Sequence, residues 1–131
     1  MTVPTRVLVV GAAASGLATV EALRRKGYAG GITVLGDEPH APYDRPPLSK
    51  QVLSGQWEPA QTALRTPEVL GGLDAEFVPG DAAIALDTAT RTVRTERGRR
   101  RFAIRRRSDP SEVARITFLT QGNPDAVKGW L

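Results

Sequence analysis

The sequence of 131 residues contains no cysteine and a single histidine. The lack of thiols excludes a disulfide framework, a zinc–thiolate site, an iron–sulfur cluster and a redox-active cysteine pair within it. His40 cannot build a histidine metal site alone, and we interpret it as a loop residue without a chemical role. We therefore predict that these residues form no metal site.

Long apolar runs are also scarce. The uncharged, mostly apolar segment 7–20 is fourteen residues long, whereas a helix needs about 20 residues to span a bilayer. Gly11 and Gly16 also divide this segment. We predict no membrane segment and no targeting peptide, and a cytoplasmic protein is the default expectation.

Acidic residues are scarce in only one part of the chain. Hydrophobic residues make up 40% of the sequence and charged residues 24%, which suits a soluble packed domain. The net charge is +4, and a basic excess is typical of nucleic-acid-binding proteins. However, residues 1–90 carry seven basic and ten acidic side chains, whereas residues 91–131 carry eleven basic and four acidic ones. The basic character belongs to the last third, so the two parts need separate interpretations.

The first forty residues follow a strand–turn–helix–strand pattern. The β-branched run Arg6–Val10 predicts a central strand of a parallel sheet, covered on both faces. After the turn of residues 11–16, apolar residues at helical spacing predict a helix that ends near Lys26 and Gly27. Ile32–Leu35 then predicts a second strand. This order predicts an α/β, Rossmann-like domain with a parallel sheet and helices.

The turn and the acid after the second strand match a dinucleotide-binding fingerprint with one departure. Gly11 permits the tight turn, and Gly16 lets the helix pack closely against the strand. Ala13 stands where glycine normally lets the backbone approach a pyrophosphate. Asp37 lies 21 residues beyond Gly16, close to the spacing of about 20 at which a carboxylate binds ribose hydroxyls.

The adjacent acids Asp37 and Glu38 narrow the choice of nucleotide. Two carboxylates there would repel the 2′-phosphate of NADP. The pattern therefore predicts a site for the ADP half of FAD or of NAD, and it does not distinguish these two. The alternative is a Gly/Ala-rich turn that binds no ligand.

Segment 36–50, with the sequence GDEPHAPYDRPPLSK, is more distinctive than the turn. It resembles the start of the FAD domain of NAD(P)H-dependent ferredoxin reductases of the rubredoxin and putidaredoxin type. Residues 51–55 and 64–68 resemble the same family, and the resemblance covers residues 5–98. The lack of cysteine also fits this branch, because the disulfide-reductase relatives need a redox cysteine pair beside the flavin.

The resemblance implies an FAD-dependent oxidoreductase that carries electrons from NAD(P)H through FAD to a ferredoxin-type iron–sulfur protein. It also implies which residues bind FAD: Gly11, Ala13, Ala14, Ser15 and Gly16 at the pyrophosphate, Asp37 and Glu38 at the ribose, and Arg45 and Lys50 elsewhere on the cofactor. All of these are binding residues, so we predict no catalytic residue among them. The alternative for Arg45 and Lys50 is a proline-stiffened surface loop with two solvated cations.

Segment 36–50 also gives two expectations about its local structure. Pro47 is expected to begin a short helix that carries Lys50. Tyr43 is expected to anchor the loop.

The following residues predict one more parallel strand and an antiparallel meander. Alternation in residues 75–78 before a Pro-Gly pair indicates the third parallel strand. Ile84 and Leu86, then residues 92–95, then Phe102 and Ile104, indicate a small β-meander over about residues 82–104. We therefore assign residues 1–104 to one part of an FAD-binding Rossmann-like domain.

The resemblance stops after residue 104, and residues 105–131 form an Arg-rich, divergent tail. We expect a truncated or frame-shifted reductase that lacks its NAD unit and is catalytically incompetent alone. For the tail, two alternatives are a solvated strand edge and a basic arm that binds nucleic acid or an acidic partner. For the whole chain, the alternative is a non-catalytic module that binds a nucleotide, or that binds nucleic acid through the Arg-rich tail. Nucleic acid is disfavoured, because Phe102 is the only aromatic residue available for base stacking in the arginine-rich segment 99–107.

Overall fold

The computed structural model describes residues 3–90 and 92–100. The predicted strand with Phe102 and Ile104, and the tail of residues 105–131, lie outside the described residues. The described elements are β1 (Arg6–Val10), α1 (Ala14–Arg25), β2 (Gly31–Leu35), two 3₁₀ turns (Pro46–Ser49 and Pro59–Thr62), α2 (Pro67–Gly72), β3 (Glu76–Val78), β4 (Ala83–Asp87), β5 (Thr92–Thr95) and β6 (Gly98–Arg100).

The first sheet is parallel and has the order β1-β2-β3 in the described residues. Val34 of β2 lies opposite Val9 of β1 and Phe77 of β3. The chain returns after α2 to the far side of β2, so β3 pairs with β2 and not with β1. The central position expected for β1 stays a prediction. Within the described residues, β2 lies between β1 and β3 and is the more buried strand, whereas β1 is half-buried.

Helix α1 crosses over from β1 to β2 and covers one face of the sheet. Val20 of the helix packs on Ile32 and Val34 in the buried core. The helix begins after Ala13 and ends with basic residues in its last turn, where they oppose the negative pole of the helix. Gly27 follows with a φ of +82°, a conformation that favours glycine and redirects the chain. In the described part of the chain no helix has the length and apolarity needed to cross a membrane.

Arg24, at the end of α1, forms hydrogen bonds with the two segments that precede β2 and β3. Its Nε donates to the Leu73 carbonyl at 2.7 Å, and Nη2 donates to the Asp74 carbonyl at 2.6 Å. Its Nη1 donates to the carbonyls of Tyr28 and Gly30 at 2.7 and 2.9 Å. One guanidinium thus satisfies four carbonyl groups from the segments that lead into β2 and β3.

The second sheet is the predicted antiparallel meander, in the order β4-β5-β6. The turn between β4 and β5 is closed by Asp87 Oδ1, which accepts hydrogen bonds from the amides of Ala89 and Thr90. Asp81 joins the two sheets, because its amide donates to the Gly36 carbonyl at 2.9 Å and its Oδ1 accepts from the Arg97 amide at 3.1 Å. The fold is therefore α/β, with a Rossmann-like sheet and an attached meander.

Replacing Arg24 tests whether this guanidinium holds the two connections together. We expect Arg24→Met to lower the free energy of unfolding by about 2–4 kcal/mol, because partly buried carbonyls lose a charged donor. The exposed Arg25 is the matched control, and Arg25→Met should change stability by less than about 0.5 kcal/mol. Urea unfolding followed by circular dichroism measures both. Equal losses in the two variants would contradict the assigned role.

Candidate nucleotide-binding site

The turn after β1 has the backbone that the fingerprint requires. Gly11 has a φ of +108°, which favours glycine, and its amide donates to the Leu35 carbonyl of β2 at 2.8 Å. Ala13 is extended, with a φ of −102°. An alanine at this position is therefore unstrained.

Close packing at Gly16 fixes the first turn of α1 against this loop. A Cβ on Gly16 would lie 1.8 Å from the Gly11 oxygen and 3.0 Å from the Gly11 carbonyl carbon. A second close approach joins Ala12 to Gly36, where an added Cβ would lie 2.8 Å from the Ala12 Cβ. Residues with little or no side chain therefore bring the helix, the turn and the end of β2 together.

The amino end of α1 has no side-chain cap. Ala13 precedes the helix without a capping hydrogen bond, and the first turn contains no acidic residue. The Leu17 amide donates to the Ala13 carbonyl at 3.0 Å, so the amides of residues 14–16 precede the intrahelical ladder. Ala14 and Ser15 are exposed. Such a helix end attracts anions through its amides and its dipole.

Backbone hydrogen bonds tie the carboxyl ends of β2 and β3 into one rim. The Gly36 amide donates to the Val78 carbonyl at 3.0 Å, and the Gly80 amide donates to the Glu38 carbonyl at 2.9 Å. These bonds hold in place the backbone of the two acids that are predicted to bind ribose, beside the turn of residues 11–16.

The two acids have different surroundings. Glu38 Oε2 accepts a hydrogen bond from the Tyr43 hydroxyl at 2.5 Å, and Glu38 Oε1 forms an ion pair with Nη2 of Arg45. Asp37 is exposed, and its Oδ1 accepts from the Glu38 amide at 3.0 Å. The structure thus brings Glu38 and Arg45 together, while Asp37 faces solvent.

The loop that carries Tyr43 and Arg45 rests on the segment 62–64. Tyr43 forms a β-bridge with Ala63. On either side of it, the Asp44 amide donates to the Thr62 carbonyl at 2.8 Å and the Leu64 amide donates to the Pro42 carbonyl at 3.1 Å. Tyr43 is therefore held in place by backbone pairing as well as by the hydrogen bond of its hydroxyl.

Lys50 follows the loop that carries Tyr43 and Arg45. The expected helix beginning at Pro47 is instead a 3₁₀ turn from Pro46 to Ser49, and Lys50 follows it. Its amide donates to the Pro47 carbonyl at 3.1 Å, and its side chain is exposed. The contacts of Arg45 and Lys50 with FAD remain predictions.

Three residues near the site have roles that sequence patterns do not reveal. The sequence pattern indicates only that a strand ends at Gly36. In the structure, the absence of a side chain on Gly36 leaves room for the Cβ of Ala12. Asp81 is buried and joins the two sheets, a role for which its place after a Pro-Gly pair is the only sequence indication. Tyr43 is the expected anchor, but its bond to Glu38 depends on the path of the loop, which no spacing rule predicts.

The chain is similar to known proteins over most of its length. A model of the pyridine nucleotide-disulphide oxidoreductase family matches residues 5–117, and the chain belongs to that family. The ferredoxin reductase component of a chlorobenzene dioxygenase from Cupriavidus sp. (strain PS12) is 36% identical over 94 residues, which are 72% of this chain and 23% of that relative. The relation to ferredoxin reductases predicted from segment 36–50 is confirmed.

Two solved structures resemble the fold. The covalent putidaredoxin reductase–putidaredoxin complex gives a TM-score of 0.69 at 28% identity, over 75% of this chain and 24% of that chain. The ferredoxin reductase for the CYP199A2 system from Rhodopseudomonas palustris gives a TM-score of 0.67 at 30% identity, over 72% and 23%. The chain spans about a quarter of the length of these proteins. The family match also extends past residue 104, so the predicted domain boundary there stays a prediction.

Adding a methyl group at Gly16 tests the packing of α1 on the turn. We expect Gly16→Ala to lower the free energy of unfolding by about 1–3 kcal/mol, because the carbonyl it meets belongs to the backbone. Gly71 lies in α2, where an added Cβ would meet no atom within 4 Å. Gly71→Ala, the matched control, should be neutral or stabilising by about 0.5–1 kcal/mol. Thermal unfolding followed by circular dichroism compares them, and similar losses in both would contradict the close contact.

The bond from Tyr43 to Glu38 predicts a pH dependence. This hydrogen bond, followed by burial, raises the pKa of the Tyr43 phenol above 10.0. The fold therefore favours the protonated phenol, and this contribution to stability is complete below pH 10 and is lost as the pH rises through the folded-state pKa. Burial also raises the pKa of Tyr28, the other tyrosine, so the titration needs a Tyr28→Phe background.

In that background we expect Glu38→Gln to lower the midpoint of the phenolate absorbance change toward pH 10. Glu21→Gln is the control, because Glu21 pairs with Arg65 and lies outside the Tyr43 cluster. An unchanged midpoint in Glu38→Gln would contradict the hydrogen bond.

Proposed function

We propose that this chain holds the ADP half of FAD in a ferredoxin reductase that carries electrons from NAD(P)H to an iron–sulfur protein. The observation that carries the proposal is the uncapped amino end of α1, held by Gly16 against the turn after β1 and beside the exposed Asp37. This arrangement offers donors to a pyrophosphate and an acceptor to a ribose hydroxyl on one rim.

The residues present fit the phosphate part of FAD. The amides of Ala14, Ser15 and Gly16 are the donors, and the helix dipole adds favourable charge. Gly11 and Ala13 shape the turn, and neither carries a side chain beyond a methyl group. The pyrophosphate would thus be bound by the main chain.

The charged residues beyond the turn fit the remaining parts of the ADP group. Asp37 and Glu38 place negative charge where a 2′-phosphate would lie, which favours FAD or NAD over NADP. Arg45 and Lys50 supply positive charge on the neighbouring loop, and a guanidinium or ammonium can contact phosphate oxygens.

The relatives favour FAD as the occupant of this turn. They include ferredoxin reductase components of dioxygenase systems, and one similar structure is a reductase bound to putidaredoxin. Bound FAD would supply the electron-transfer chemistry, accepting hydride from NAD(P)H and releasing electrons to the iron–sulfur partner. The protein residues bind and orient the cofactor. The proposal includes a cytoplasmic location, which cell fractionation would test.

The test changes the charge at the start of α1. We expect the unaltered chain to bind FAD, and Ser15→Glu to weaken binding at least tenfold, or about 1.4 kcal/mol, because a carboxylate would face the pyrophosphate. The same substitution should not unfold the helix, since an acid in the first turn is favourable for its dipole. Isothermal titration calorimetry measures the affinity.

The matched control is Ala18→Glu, on an exposed position one turn further along α1. It should leave FAD affinity within about twofold, because the dipole effect falls off beyond the first turn. Equal weakening in both variants, or no FAD binding by the unaltered chain, would contradict the proposed site.

A further inference from the structure

We infer that Arg97, in the turn between β5 and β6, is a further nucleotide-binding residue, whose guanidinium stacks on the base of the bound ADP group. This inference rests on the proposed function and extends the site from the first sheet to the meander. Arg97 lies outside the dinucleotide fingerprint, which ends at the acid after β2, so no spacing rule points to it.

Asp81 links the backbone of Arg97 to the end of β2. The Asp81 amide donates to the Gly36 carbonyl at 2.9 Å, and Asp81 Oδ1 accepts from the Arg97 amide at 3.1 Å. The Glu96 amide adds a hydrogen bond to the Ala82 carbonyl at 3.0 Å. One buried aspartate therefore holds the Arg97 backbone close to the residue that immediately precedes the acid pair.

The side chain of Arg97 extends toward the same rim. A Cβ placed on Gly80 would lie 3.5 Å from Nη2 of Arg97 and 3.6 Å from Cβ of Pro39. The guanidinium thus lies next to the loop after β3, and Pro39 stands two residues beyond Asp37. Arg97 and Pro39 are both exposed, so a ligand can reach them.

The strand order places this surface where the base of a bound nucleotide would lie. The amides at the start of α1 follow β1, Asp37 follows β2, and the loop beside the Arg97 guanidinium follows β3. Neighbouring strands are about 4.8 Å apart, so the three groups succeed one another along the carboxyl edge of the sheet. ADP has the same order, because its diphosphate, ribose and base are bonded in sequence.

A guanidinium is suited to the face of a base. It is planar and less strongly hydrated than an ammonium, and it stacks on aromatic rings. Within residues 3–90 and 92–100, ion pairs engage Arg45 and Arg65, whereas the Arg97 guanidinium forms no ion pair and no hydrogen bond. It can therefore turn its face to a ligand without breaking an internal contact.

The test compares ADP with ribose 5-diphosphate, which is ADP without its base, by calorimetry on the full 131-residue chain. We expect Arg97→Ala to weaken ADP binding by about three- to tenfold, the range of a partly exposed cation–π contact. The affinity for ribose 5-diphosphate should stay within about twofold, because the lost contact is with the base.

The matched control is Arg94→Ala, which removes another exposed arginine from the meander. It should leave both affinities within about twofold, because salt screens an exposed charge that does not touch the ligand.

Two further variants separate stacking from charge. Arg97→Tyr offers a flat ring without positive charge, and we expect it to bind ADP within about twofold of the unaltered chain, because bases stack on aromatic rings. Arg97→Lys keeps the charge without the plane and should weaken ADP binding at least about twofold. The contact of residue 97 with Asp81 uses the main-chain amide, which every variant keeps, and thermal unfolding verifies that each variant is folded.

The outcomes distinguish this inference from the proposed function. Unchanged ADP affinity in Arg97→Ala, or an equal loss in Arg94→Ala, would overturn the role of Arg97 while leaving the nucleotide site intact. An equal loss of ribose 5-diphosphate, or recovery by Arg97→Lys and not by Arg97→Tyr, would show that its charge acts on the phosphates and would also overturn it. Failure of the unaltered chain to bind ADP would instead contradict the proposed function, and the assignment of Arg97 with it.

Discussion

The contact between Gly16 and the Gly11 carbonyl is the constraint on which the rest of the site depends. It sets the distance between the first turn of α1 and the end of β1, because no side chain separates them. The amides at the helix start then lie beside the rim formed by β2 and β3. Ala12 and Gly36 extend the same close packing to the acid-bearing loop. A scaffold of small residues thus positions a site whose donors are largely main-chain groups.

The spacing of apolar residues, together with the glycines of the turn, predicts much of the fold. The bounds of β1 and α1, and the parallel pairing of β2 with β3, follow from apolar spacing and from the turn of residues 11–16. The place of β2 between β1 and β3 does not, because strand order depends on where later segments return to the sheet. An apolar run records burial in the whole sheet, not the strand's position in the order.

The site is less completely predictable than the fold, for a physical reason. Residue type and spacing locate Asp37, Glu38 and Arg45, but not that Glu38 pairs with Arg45 or that Tyr43 joins them. In a helix, neighbours follow a fixed period, whereas contacts across the proline-rich loop depend on its backbone path. That path is set by pairing with residues 62–64, and nothing in the sequence of segment 36–50 encodes its partner.

The four carbonyl contacts of Arg24 have a consequence for the order of folding. Two of its acceptors are 49 and 50 residues away in sequence, so the guanidinium becomes fully satisfied only after the long crossover from β2 to β3 has closed. Closing such a loop is slow relative to forming α1. We therefore expect the Arg24 contacts to form late in folding and to affect the unfolding rate more than the folding rate.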